Sequence, residues 1–113
     1  MQIITNRKIR IGILGCGRIS VKHIEAILML NKDLELVAVC DIDLKNIKKS
    51  FLDENVRLFS SIEDMLKLKL DLVSICTPSG LHAEHSLICS QYNTNVITEK
   101  PMAIKLLDAK KND

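Results

Sequence analysis

A chain of 113 residues, 47% of them hydrophobic, has the size and apolar content of one globular domain with a buried core and leaves no room for a second. Its formal net charge of +2 comes from lysines scattered among acids rather than gathered with aromatic side chains, which argues against a nucleic-acid surface. The opening MQIITNRKIRIG lacks the apolar run of a signal peptide and no later run reaches bilayer length, so a cytoplasmic location with no membrane contact is expected.

Short apolar runs alternate with longer segments of helical period along the whole chain. KIRIGIL, residues 8–14, reads as a first buried strand, and residues 19–30 as a helix with Ile19, His23, Ala26, Ile27 and Leu30 on one face. LELVAVCD, residues 34–41, is a second strand, followed at 42–52 by a helix whose apolar stripe carries Leu44, Ile47, Phe51 and Leu52. A short third strand is expected at 56–59, then a helix at 62–67 capped by Ser60 or Ser61. LDLVSICT, residues 70–77, is a fourth strand stopped by Pro78–Gly80, and residues 81–92 have helical period. NVITEK, residues 95–100, is a fifth strand ended by Pro101, after which MAIKLLDAKKND begins another helical pattern. The sum is a doubly wound parallel α/β sheet of about five strands, incomplete because no sixth edge strand follows.

The four cysteines, Cys16, Cys40, Cys76 and Cys89, are far apart and form no Cys-x-x-Cys pair, so they are expected as reduced thiols filling the core. The turn GILGCGRIS is different, because its two glycines solve a physical problem. A Cβ at Gly15 would clash where a strand reverses into a helix, and a Cβ at Gly17 would keep a pyrophosphate from the backbone amides at the helix start. Ser20 stands where a third small residue is needed for helix-on-strand packing. Asp41 ends the next strand, from which a carboxylate accepts hydrogen bonds from an adenosine ribose and repels a 2′-phosphate, favouring NAD over NADP. Asp43 reads first as a helix cap.

CTPSGLHAEHS follows the fourth strand on the carboxyl edge of the sheet, where ligands bind in open α/β folds, and His82 there can hydrogen-bond a sugar or nicotinamide. His82 and His85 have a metal-compatible spacing but no evident third ligand, and His85 and His23 read as surface or helix-packing residues. In EKP at the end of the fifth strand, Lys100 either pairs with Glu99 or sits beside a substrate hydroxyl and helps carry its proton.

Taken together, GILGCGRIS, AVCD, CTPSGLHAEHS and VITEKPMA resemble the Gfo/Idh/MocA family of oxidoreductases over nearly the whole chain, here its amino-terminal NAD-binding Rossmann domain. Within it, GCGRIS, TPSGLH and VITEKPMA are most similar to the bacterial branch that oxidises UDP-N-acetyl-2-amino-2-deoxyglucuronate at its 3-hydroxyl in surface-polysaccharide synthesis. The resemblance implies that Gly15, Gly17, Arg18, Ile19 and Ser20 line the pyrophosphate, that Asp41 holds the adenosine ribose, and that Thr77, Pro78, His82 and Glu99 border the nicotinamide. It implies Lys100 as the catalytic residue of this chain for hydride transfer from a sugar carbon. Family members carry a second domain with a catalytic histidine, the substrate pocket and the oligomer interface. This chain ends before it, which predicts weak or moderate NAD binding, little dehydrogenase activity, and self-association through an unpaired sheet edge. An NAD-sensing or protein-interaction module without catalysis, and a binder of another adenosine cofactor such as S-adenosylmethionine, are the competing readings.

Overall fold

The computed structural model describes residues 7–47, 52–98 and 103–105. Runs rich in apolar residues become the central strands: β1 (Ile9–Leu14), β2 (Leu34–Cys40) and β4 (Leu72–Ile75), with β3 (Arg57–Phe59) and β5 (Asn95–Thr98) outside them. Three helices, α1 (Arg18–Met29), α2 (Ile62–Leu66) and α3 (His82–Gln91), connect them. A short β6 (Ala103–Lys105) completes a sheet in the order β3-β2-β1-β4-β5-β6. The first five strands run parallel, as the alternation predicts, and β6 runs antiparallel to β5.

The strands are rich in apolar residues because both faces of the sheet are covered. On one face Ile11, Ile13 and Val39 pack with Ile24 and Ile27 of α1. On the other, Leu14, Ala38, Cys40, Val73 and Ile75 pack with Met65 and Leu66 of α2 and Cys89 of α3. All four cysteines are buried and none forms a disulfide, as expected of core filler. Burial pushes the thiols of Cys16 and Cys89 up to about 12 and that of Cys40 to about 11, with the Asp41 carboxylate adding to the effect at Cys16 and Cys40.

Three sequence expectations change. In α1 the inward face carries Ser20, Ile24 and Ile27, with His23 half-buried and its Nδ1 bonded to Ser74 Oγ of β4; Ala26 and Leu30 face outward. After β2, the expected helix at 42–52 is a single 3-10 turn, Leu44–Asn46, within the described residues. Leu44 is half exposed, Ile47 is buried in an extended conformation, Leu52 packs against the core, and Phe51 lies outside the described residues. Asp43 caps this turn as expected, its carboxylate accepting from Lys45 N at 3.0 Å, and such local bonds compete with helix propagation. Finally, the helical period expected after Pro101 gives way at residues 103–105 to β6. It pairs Thr98 with Ala103, Ile97 with Ile104 and Val96 with Lys105, so the β5 edge expected to lie open is occupied along that stretch. Pairing an open ladder outweighs a weak helical period over three residues.

Ser61 caps α2, its Oγ accepting from Asp64 N at 3.3 Å. At the amino edge of the sheet, Arg7 clasps Asp71 with two hydrogen bonds, Nη1 to Oδ2 at 2.7 Å and Nη2 to Oδ1 at 3.0 Å, and Arg10 N donates to the same carboxylate at 2.7 Å. The Arg7 guanidinium, helped by the Arg10 amide and against the opposing effect of burial, holds the Asp71 carboxyl below its ordinary 3.8. A carboxyl lowered on folding contributes stability that is complete above its unfolded value and is lost as pH falls through the folded one. Thermal midpoints should therefore drop in acid more steeply for the parent chain than for Asp71→Asn, and parallel profiles would refute this role.

Candidate functional site

The sheet order reverses between β1 and β4, so the loops leaving their carboxyl ends part to opposite faces and open a crevice. A cleft of about 850 Å³ lies there, bounded by the turn at 15–17, the end of β2 at Asp41 and the loop from Cys76 to His85. That volume is within the range of small-molecule and cofactor sites.

Gly15 adopts φ +94°, and an added Cβ would lie 2.8 Å from Thr77 Cγ2 and Thr77 N and 2.9 Å from Cys76 C. Both backbone conformation and the neighbouring loop therefore require glycine. Gly17 has an ordinary φ of −80° and an added Cβ would meet nothing within 4 Å. Protein packing does not demand glycine at 17; the open side faces the cleft that Gly17 lines. Gly17 is also the N-cap of α1, where it offers no side chain to cap the first N–H groups, and the first turn carries no acid. Those amides, together with the helix dipole, suit an anion.

Arg18 and Ile19 fall in the first turn of α1, and their side chains lie outside the described residues. Ser20, expected to line a pyrophosphate, instead turns inward. It is 2% exposed and its Oγ donates to Gly17 O at 2.6 Å, so its side chain closes the turn and allows close packing.

Asp41 is buried at the cleft wall and binds three donors: Cys16 N at 2.9 Å on Oδ2, and Asp43 N at 2.9 Å and Asn46 Nδ2 at 3.0 Å on Oδ1. It thus ties the loop after β1 to the loop after β2. On the far side, Thr77, Pro78 and His82 line the cleft. His82 Nε2 donates to Thr77 O at 2.7 Å, and Thr77 Oγ1 is 2.8 Å from His85 Nδ1. His85 is buried and lines the cleft rather than the surface. Burial, opposed by Glu84 and reinforced by His82, lowers its pKa from 6.5, which keeps the ring neutral at physiological pH. Both histidines are thus committed to Thr77, and among the described residues no three potential ligands gather as a metal site. Glu99 and Lys100 lie outside the described residues.

The sequence pattern points to neither Ile42, 87% exposed at the cleft mouth, nor Asn46. Asn46 sits among lysines in a segment whose apolar spacing suggests a helix, and its approach to Asp41 arises only once the 3-10 turn forms.

The glycine turn that demands no Cβ at 15 and leaves space at 17, the carboxylate ending β2, and the crevice at the strand-order reversal together suit a dinucleotide. The model of the oxidoreductase family with an NAD-binding Rossmann fold, Gfo/Idh/MocA, matches residues 9–112. The chain belongs to the Gfo/Idh/MocA oxidoreductase family. This Gfo/Idh/MocA chain is 35% identical over 104 residues to D-glucoside 3-dehydrogenase of Escherichia coli, covering 88% of the chain and 29% of that protein. It also resembles the WlbA dehydrogenase of Bordetella pertussis, solved in complex with NADH and UDP-GlcNAcA, at 42% identity and a TM-score of 0.77, covering 86% of the chain and 30% of WlbA. For WlbA of Chromobacterium violaceum, in complex with the same two ligands, the values are 44% and 0.80, with 88% and 29% covered. The Gfo/Idh/MocA chain thus spans less than a third of the length of each of these relatives. No helix among its described residues is long and apolar enough to cross a membrane.

Proposed function

We propose that this chain binds NAD in the crevice between the 15–17 turn and the 76–85 loop, as the dinucleotide-binding part of a dehydrogenase acting on a sugar or nucleotide sugar. The observation that carries the reading is Asp41, a buried carboxylate facing the cleft one strand away from an uncapped helix N-terminus. In this reading the amides of Gly17 and the first turn of α1 receive the pyrophosphate, while Asp41 accepts a hydrogen bond from the adenosine ribose and repels a 2′-phosphate. Thr77, Pro78 and His82 border the opposite end of the dinucleotide. A bound nicotinamide would supply the hydride acceptor for oxidation of a hydroxyl-bearing carbon. Lys100, with Glu99 beside it, would stand near that hydroxyl and take part in removing its proton. Likeness to the two WlbA structures supports a nucleotide-sugar substrate, as in surface-polysaccharide synthesis, over a free sugar.

Calorimetric titration of the chain with NAD and with NADP tests the reading. NAD should bind with an affinity at least about tenfold above that of NADP, a gap of about 1.4 kcal/mol. Failure to bind NAD would refute the cofactor assignment, and preference for NADP would refute the role given to Asp41.

A further inference from the structure

The acceptor capacity of Asp41 is nearly filled within the proposed NAD site, on which this inference rests. A carboxylate offers about four acceptor positions, two on each oxygen. Oδ1 has both taken, by Asp43 N at 2.9 Å and Asn46 Nδ2 at 3.0 Å, whereas Oδ2 has one taken, by Cys16 N at 2.9 Å. One position remains, yet a ribose presents two adjacent hydroxyls. A carboxylate so engaged cannot take both.

Asn46 lies beside it on the same cleft wall, exposed, with an amide oxygen that the bond to Asp41 does not use. The 3-10 turn from Asp43, closed by Asn46 N donating to Asp43 O at 2.9 Å, brings the Asn46 amide back over Asp41. We propose that Asn46 is a second ribose-recognising residue: its Nδ2 holds the Asp41 carboxylate in place, and its amide oxygen accepts the ribose hydroxyl that Asp41 has no capacity to take.

The test compares the parent chain, Asn46→Ala and Asn46→Asp in calorimetric titrations with NAD and with its two analogues lacking the adenosine 2′- or 3′-hydroxyl. Asn46→Ala should weaken NAD about five- to tenfold, the loss of one or two hydrogen bonds, while binding one of the deoxy analogues within about twofold of the parent. Asn46→Asp keeps an acceptor oxygen but cannot donate to Asp41 at neutral pH and sets a like charge against it, so it should lower the thermal midpoint and weaken NAD as well. Equal losses for NAD and both analogues would overturn the ribose contact, and unchanged NAD affinity in both variants would overturn the inference altogether while leaving the NAD site standing. A parent chain that binds none of the three ligands would overturn the NAD reading and this inference with it.

Discussion

Gly15→Ala is expected to destabilise the chain by about 2–4 kcal/mol, combining the cost of a left-handed conformation for a residue with a Cβ and that of overpacking. The magnitude follows from what the new Cβ would meet. Two of the three nearest atoms, Thr77 N at 2.8 Å and Cys76 C at 2.9 Å, belong to backbone and cannot rotate away, and φ is +94°. Cys76 N also donates to Leu14 O at 2.7 Å, so relief of the clash pulls apart the β1–β4 junction beneath the cleft. Denaturant unfolding measures the loss, and a variant within about 0.5 kcal/mol of the parent would show that the turn tolerates a side chain. Gly17→Ala is the informative companion. With nothing within 4 Å of the added Cβ and φ at −80°, its stability should be nearly that of the parent, while NAD affinity falls because the methyl group stands where the pyrophosphate approaches.

Asp41→Ala is expected to cost both stability and cofactor. The carboxylate is buried and serves three donors, and its removal strands the Cys16 N–H inside the fold and frees Asn46, a loss of about 2–4 kcal/mol. NAD affinity should fall more than about tenfold, the loss of a hydrogen bond to a charged acceptor together with a disordered cleft wall. Asp41→Asn separates the two effects. It keeps the volume and one acceptor oxygen while removing the negative charge, so its stability should lie between the other two and its relative affinity for NADP should rise. An Asp41→Ala chain that unfolds like the parent would show that the three hydrogen bonds are weak, and an unchanged NADP-to-NAD ratio in Asp41→Asn would remove the charge argument.

The five parallel strands were legible because strands buried on both faces are dominated by apolar residues, which leaves little ambiguity in runs such as IRIGIL and LVSI despite Arg10 and Ser74. Asp43 and the pair Ser60/Ser61 were legible as cap candidates because a short side-chain oxygen ahead of a helical turn can satisfy a free backbone donor, and the structure assigns the second cap to Ser61. The segment after β2 was not. Leu44 and Ile47 have helical spacing, but the bonds that Asp41 and Asp43 make to nearby backbone hold the chain in a 3-10 turn that sends Ile47 inward and Leu44 outward. Strand β6 was hidden for a different reason: its partner is 7 residues away at Ile97 and Ile104, and pairing to an edge leaves no period in a three-residue segment. In the site, Gly15 and Asp41 stand out because few residue types meet the demands of a turn with positive φ or a strand-end acceptor. His85 and Asn46 owe their places to Thr77 and Asp41, and a side chain defined by its neighbour has no spacing of its own to reveal it.

Thr77 has both its hydroxyl and its carbonyl engaged by histidines of α3, while its backbone nitrogen and methyl group lie directly against Gly15. The two banks of the crevice are therefore joined through one residue, and the opening between them is set before any ligand arrives. A preorganised opening spares the ordering cost that loops pay on closure, so association should proceed in one step at a rate set by encounter and orientation. The same packing restricts adaptation: spreading the banks for a bulkier ligand gives up the contact of Thr77 with Gly15 and strains the Cys76 N–Leu14 O bond beneath it.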